Sequence, residues 1–166
     1  MTTSTKEKAE ELLQQILSES TPEDEEVLMH LLDGLRDKQT GFHHRYINAA
    51  LHMTGEFYPD HSIIRIPITP VIHNTIKLPH GGILATIADA AMGELAARSI
   101  EPGKNVVTTN LHINYLATTT NKELIAKGSF VNKGRRMLVM ECVIEDETGK
   151  KLATATATFF VIEPRK

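Results

Sequence analysis

The sequence predicts an α+β fold in which a long antiparallel sheet wraps around one central helix, preceded by a helical extension. Apolar residues recur at helical spacing up to about residue 40, which indicates amphipathic helices. From about residue 43 onward they alternate with polar residues, which indicates half-buried strands, and one long apolar segment interrupts this alternation. Several strands with a single buried helix are typical of the α+β class. We therefore divide the chain into an extension, residues 1–40, and one domain, residues 41–166.

The extension is acidic and is predicted to form two amphipathic helices within residues 6–38. Residues 1–40 carry ten acidic and four basic side chains, whereas the remaining residues are net basic. Thr21-Pro22 followed by acidic residues is typical of a helix start, because threonine caps, proline suits the first turn and acids favour the helix dipole. We interpret the extension as a packing appendage, with a partner-docking arm as the alternative.

Strands are predicted where β-branched and apolar residues alternate with polar ones. Ile64, Ile66 and Ile68 form the first such pattern, and Pro67 and Pro70 indicate its edge or its end. The other strand candidates are residues 106–116, 123–131, 136–146 and 151–162, the last two joined by a turn at Gly149.

The central helix is predicted over residues 82–99, and Pro102-Gly103 follows it as a stop signal. Its first three turns are apolar nearly all round, so we expect it to be buried. Asp89 is the only charged residue between Gly81 and Gly93. Burial of an unpaired carboxylate costs several kcal/mol, which favours a functional role. Capping of a loop or pairing with an arginine is the structural alternative, and residue type alone leaves both open.

A second feature is His80-Gly81-Gly82 at the start of this helix. The first amides of a helix lack internal partners and carry positive potential, so they can hold a developing oxyanion. A plain strand-to-helix turn would also use glycine. Gly81 and Asp89 are roughly 12 Å apart on one helix, too far to act on one carbonyl. If both act in one site, they come from two subunits, which favours a homodimer or a dimer of dimers.

The segment from Asn74 to Asp89 resembles the hotdog-fold thioesterases of the phenylacetate-pathway type. That family shows an asparagine six residues before a His-Gly-Gly and an aspartate nine residues after the histidine, and both spacings hold for Asn74, His80 and Asp89. The resemblance covers about residues 43–163. It implies a hotdog fold and hydrolysis of an acyl-CoA or related thioester to a free acid and a thiol.

The resemblance also implies roles for individual residues. Asp89 is expected to act as nucleophile or general base, and the Gly81 amide to polarise the thioester carbonyl. Asn74 is expected to position water or the carbonyl. His80 is expected mainly to shape the turn, with contact to the thioester as a further role. A serine or threonine early in the following strand is expected near the water. We favour Thr108 over Thr109, because simple alternation places Thr108 on the polar face of its strand.

The basic cluster Lys133-Gly134-Arg135-Arg136 is either a solvated turn or a contact for CoA phosphates, which arginine grips bidentately. On the second interpretation Lys133 and Arg135 bind CoA, and Gly82 allows its close approach.

Several classes of function are not expected. The net charge of −3 gives no argument for a nucleic-acid partner, and no segment is apolar enough to span a membrane. We expect a cytoplasmic protein.

Cys142 lies in an apolar run and is interpreted as a buried structural thiol. The eight histidines show no metal-ligand spacing, so we assign no metal and no cofactor.

The function favoured by the sequence is therefore thioester hydrolysis by an enzyme. One alternative is a non-catalytic hotdog domain that binds acyl-CoA as a sensor, although binding alone needs no buried carboxylate. Another is a hotdog-fold enoyl-CoA hydratase, which would need an Asp/His pair in a different motif. The acyl group and the choice between CoA and an acyl carrier protein stay open.

Overall fold

The computed structural model describes residues 4–163, and the chain separates into two compact units, Met1–Ala50 and Leu51–Lys166. The first unit is helical and the second contains a sheet and one long helix. The α+β class predicted from the periods is confirmed.

The first unit contains the two predicted helices, α1 (Thr5–Glu19) and α2 (Pro22–Thr40), followed by a short helix, α3 (Tyr46–Ala50). The Thr21 side chain accepts a hydrogen bond from the Asp24 N–H, and the Asp24 carboxylate accepts one from the Thr21 N–H. The helix start predicted from the sequence is therefore a capping box. Helix α3 was not predicted, because five residues are too few to show a helical period.

The second unit is built on one six-stranded, fully antiparallel sheet in the order β1-β2-β4-β5-β6-β3. The strands are β1 (Thr54–Phe57), β2 (His61–Pro67), β3 (Asn105–Tyr115), β4 (Glu123–Lys133), β5 (Met137–Asp146) and β6 (Lys151–Ile162). Five of them were predicted, and Pro67 ends β2, which is an interior strand. Strand β1 was missed because its four residues include a single large apolar one, Phe57.

The long helix, α4 (Gly81–Arg98), packs its buried residues against the sheet. These are Leu84, Ile87, Ala88, Ala91, Met92, Leu95 and Ala96. The approach is close, because the Ser62 hydroxyl donates to the Ala91 carbonyl over 2.7 Å. A Cβ on Gly128 would lie 3.1 Å from the Ala91 backbone, so strand β4 needs a residue without a side chain there. These two contacts fix the height of the middle of α4 above the sheet.

Strand β3 departs from simple alternation. The register shifts between Thr108 and Asn110, so Thr109 is the extra residue of a β-bulge. Thr108 lies opposite Phe159 and Leu111 lies opposite Ala157, and both partners are buried. The sequence-based assignment of Thr108 to the face opposite Leu111 is therefore wrong: the extra residue changes the parity, and Thr108 shares the helix-facing side with Leu111.

A buried carboxylate fixes the β5–β6 turn to the chain that follows β3. Asp146 is 1% exposed, and its Oδ2 accepts hydrogen bonds from Thr119 Oγ1 at 2.8 Å and Asn121 Nδ2 at 2.9 Å. Its Oδ1 accepts from the hydroxyl and N–H of Thr148 and from the N–H of Lys150. These bonds, the Thr148 hydroxyl first, hold the pKa of Asp146 well below its ordinary value.

We expect Asp146→Asn to lower the urea midpoint of unfolding at pH 7, because an amide oxygen and nitrogen cannot replace two accepting carboxylate oxygens. The folded pKa lies below the unfolded one, so the charge contributes stability above about pH 4 that is lost as the pH falls further. The difference in urea midpoint between wild type and Asp146→Asn should therefore become smaller as the pH falls below about 4. Asp33→Asn, on the surface of α2, is the control. A difference in urea midpoint that stays constant from pH 7 to pH 3 would contradict this role of Asp146.

Candidate functional site

The first turn of α4 borders a cleft of about 220 Å³. The cleft is lined by Asn74, Leu78, Pro79, Gly81, Leu84, Tyr115, Ala117, Thr118, Thr119 and Leu152. Two of the residues predicted for the site, Asn74 and Gly81, thus share one cleft wall. The segment held by Asp146 supplies another part of the wall through Thr119.

His80 caps the helix and determines which amide remains available. Its Nδ1 accepts a hydrogen bond from the Gly82 N–H at 2.9 Å, so Nδ1 is the unprotonated ring nitrogen. Within residues 4–163, no acceptor takes the Gly81 N–H. Gly81 is the first residue of α4, where the helix dipole adds positive potential. The Gly81 amide is therefore a free donor at a position that attracts anions.

Asn74 closes the loop that leads into the helix. Its Oδ1 accepts hydrogen bonds from the N–H groups of Ile76 at 3.0 Å and Leu78 at 3.1 Å. With the oxygen engaged in the loop, Nδ2 is the group of Asn74 that can donate to a ligand in the cleft.

Tyr115 is a cleft residue that the sequence analysis missed. Its hydroxyl donates to the Gly81 carbonyl over 2.9 Å, and its ring lies 3.2 Å from where a Cβ on Gly81 would be. Tyr115 ends β3, thirty-four residues from Gly81 along the chain. No local motif connects the two, and the pairing becomes visible only once β3 lies beside α4.

Asp89 lies further along α4 and is held by Thr108. The Thr108 hydroxyl donates to Asp89 Oδ1 over 2.9 Å. Asp89 Oδ2 has no donor among the residues that the structure describes. The bulge at Thr109 is what turns Thr108 toward the helix, while the Thr109 hydroxyl donates to the Thr158 carbonyl instead. Asp89 is half-buried and Thr108 is exposed, so this carboxylate is not enclosed by its own chain.

One copy of the chain therefore forms two separate groups of predicted site residues. Asn74, His80, Gly81 and Gly82 gather at the start of α4, and Asp89 pairs with Thr108 further along. Both groups depend on the same helix, on which eight residues separate Gly81 from Asp89. At 1.5 Å per residue the separation is about 12 Å.

Lys133 and Arg135 line a second cleft of about 270 Å³. Lys104 and Glu101 also line it and form an ion pair at 2.9 Å, which lowers the pKa of Glu101. The register places Lys133 and Thr108 in the same row of the sheet, with β5 and β6 between their strands. Three inter-strand spacings, about 14 Å, separate Lys133 from Thr108 along this row.

Other predicted features can be located as well. Cys142 is buried, and desolvation raises its pKa to about 12, so the thiol is not a nucleophile at neutral pH. Residues 4–163 hold no group of three or more potential metal ligands. In the same part of the chain, none of the helices has the length and apolar character needed to cross a membrane.

Comparison with known proteins gives consistent matches. Residues 78–153 match the family model described as the thioesterase superfamily. The chain is 30% identical over 105 residues to a 1,4-dihydroxy-2-naphthoyl-CoA hydrolase of Listeria monocytogenes, covering 63% of this chain and 85% of that protein. It is 26% identical over 104 residues to a putative esterase of Saccharolobus solfataricus, covering 74% of that protein.

Solved structures agree with the sequence matches. A Bacillus halodurans protein crystallised with CoA superposes with a TM-score of 0.85 at 30% identity, covering 92% of this chain and 99% of that one. A Haemophilus influenzae thioesterase superposes with a TM-score of 0.69 at 21% identity, covering 72% of this chain and 85% of that one, which shows the fold. The hotdog fold expected from the resemblance is confirmed.

Proposed function

Since this chain belongs to the thioesterase superfamily and hydrolyses an acyl-CoA thioester, we propose that the reaction takes place in a site shared by two subunits. In this site Asp89 of one subunit and Gly81 of the other act on the same carbonyl. The observation that carries the proposal is that α4 presents a free amide and a held carboxylate about 12 Å apart.

The Gly81 N–H is the donor for the thioester oxygen. As the carbonyl carbon is attacked, negative charge develops on this oxygen, and a fixed donor at a helix N-terminus stabilises that charge. The Asn74 amide borders the same cleft and supplies a second donor to the carbonyl or to the water. His80 contributes by occupying the neighbouring Gly82 N–H, which leaves Gly81 for the substrate.

Asp89 supplies the base or the nucleophile. The Thr108 hydroxyl engages Oδ1 and fixes the carboxylate, so Oδ2 is the oxygen that takes a proton from water or attacks the carbonyl itself. Collapse of the tetrahedral intermediate breaks the C–S bond and releases CoA as its thiolate, which takes the proton that Asp89 has removed from water. If Asp89 itself attacks, the C–S bond breaks as the acyl group passes to the carboxylate, and water then hydrolyses the resulting mixed anhydride to the free acid and Asp89.

The edge strand β3 supports the two-subunit arrangement. It is the last strand of the sheet, and none of its eleven residues is fully buried, although β4, β5 and β6 all contain buried residues. A long uncovered edge is a template for pairing with another strand. Antiparallel pairing of β3 with its copy would bring the Thr108 end of one subunit beside the Tyr115 end of the other. Asp89 would then approach the partner's Gly81, in a homodimer or a dimer of dimers.

CoA recognition is assigned to the basic cleft. Lys133 and Arg135 lie exposed at the Thr108 end of the sheet and offer cations for its phosphates. Gly82 has its N–H engaged by His80, so it contributes space for the close approach of CoA and no hydrogen bond.

Asp89→Asn is expected to lower kcat by at least about 100-fold, because the amide can neither accept a proton nor attack the carbonyl. KM and melting temperature should change little, since the thioester is bound by other groups. Release of free thiol from a panel of aliphatic and aryl acyl-CoA thioesters measures turnover. Asp60→Asn, in the exposed β1–β2 hairpin, is the control. A folded Asp89→Asn variant with near-normal turnover on the best wild-type substrate would overturn the proposed role.

Gly81→Pro tests the amide donor, because it removes the N–H, while the Cβ that it adds meets the Tyr115 ring. Proline suits the first position of a helix, and His80 already has the extended φ of −69° and ψ of 133° that a residue before proline prefers. We expect kcat to fall by about 100-fold or more, the usual effect of losing an oxyanion donor.

Gly81→Ala is the matched control, because it keeps the N–H and adds the same Cβ beside the Tyr115 ring. Its kcat should fall far less than that of Gly81→Pro. Equal losses in the two variants would show that crowding against Tyr115, and not the amide proton, causes the defect.

A further inference from the structure

We propose that Tyr115 is a positioning residue that holds the Gly81 amide in its donating orientation. The inference rests on the proposed function of Gly81 as the donor to the thioester oxygen. It concerns a residue that no motif identifies and that reaches the site from the end of edge strand β3.

The peptide between Gly81 and Gly82 is held at both ends. The Tyr115 hydroxyl donates to its carbonyl oxygen over 2.9 Å, and His80 Nδ1 accepts from its N–H at 2.9 Å. The preceding peptide is also fixed, because the His80 carbonyl accepts from the N–H of Ile83 at 2.9 Å. The free Gly81 N–H belongs to that preceding peptide, so its direction is set by bonds on either side of the Gly81 Cα.

Tyr115 also determines which residue can stand at position 81. Its ring atoms and hydroxyl lie 3.2–3.3 Å from the place of a Cβ on Gly81, closer than most side-chain contacts. Glycine therefore lets the phenol pack against the first turn of α4. The same phenol lines the cleft beside the Gly81 amide.

A donor stabilises an oxyanion best when it needs no reorientation during the reaction. Without the Tyr115 hydroxyl, one of the bonds that orient the peptides around Gly81 is lost, so we expect the Gly81 N–H to spend less time aligned with the oxygen. The ground-state carbonyl carries less charge than the transition state, so the loss should appear in kcat and not in KM.

The test compares Tyr115→Phe with Tyr58→Phe. Each variant removes one hydroxyl from a partly exposed tyrosine that donates over about 3 Å, and Tyr58 donates to Glu56 in the β1–β2 hairpin, outside the cleft. We expect Tyr115→Phe to lower kcat about tenfold, a smaller loss than removal of the donor itself, with KM within about twofold. Tyr58→Phe should keep wild-type kcat, and the two melting temperatures should be similar.

A second measurement is independent of turnover. In protein labelled with ¹⁵N-glycine, the Gly81 amide resonance should shift in Tyr115→Phe and not in Tyr58→Phe, while the Gly149 resonance stays in place in both. Sedimentation checks that both variants keep the wild-type assembly.

The outcomes separate this inference from the function it rests on. If the wild-type protein hydrolyses no thioester, the proposed function is overturned, whatever the amide resonances show. Wild-type hydrolysis with Tyr115→Phe as active as Tyr58→Phe would overturn the positioning role alone. A drop in melting temperature with unchanged kcat would also overturn it, because it would make Tyr115 a purely structural residue.

Discussion

The rigidity of helix α4 is the constraint on which the rest of the site depends. Gly81 and Asp89 lie on the same helix, and eight residues of α-helix keep them about 12 Å apart whatever the surrounding side chains do. A donor and a base for one carbonyl must both come within about 3 Å of it. On the proposed function, one copy of the chain therefore carries two halves of a site, and the edge strand beside α4 is where the halves of two copies would meet.

Strand β3 and α4 are joined at two points that coincide with those halves. Thr108 bonds to Asp89, and Tyr115 bonds to the Gly81 carbonyl. The middle of α4 is fixed separately, by the Ser62 hydroxyl on Ala91 and by the lack of a side chain at Gly128. The strand that would form the contact between subunits thus also orients the groups that would carry out the chemistry, so on the proposed function assembly and catalysis would depend on the same contacts.

The sequence predicted the elements whose pattern is long and regular. Five of the six strands, both long N-terminal helices and α4 follow from periodicity, whereas α3 and β1 are too short to show one. Asp89 and Gly81 stood out because a lone carboxylate and paired glycines are unusual in an apolar helix. The preference for Thr108 over Thr109 rests on an incorrect reason, because the bulge at Thr109 breaks the alternation on which it depends. Tyr115 could not be found, because its contact with Gly81 depends on how β3 lies against α4.

On the proposed function, one working site needs Asp89 from one subunit and Gly81 from the other. Co-expression of Asp89→Asn chains with Gly81→Pro chains, each nearly inactive alone, tests it most directly. In a mixed dimer both defects can fall in one site and leave the other site intact, so random pairing should restore about a quarter of wild-type turnover per dimer. If the two residues act within one chain, every site carries a defect. Activity of the mixture that does not exceed that of the separate variants, in dimers shown to be mixed, would contradict the account.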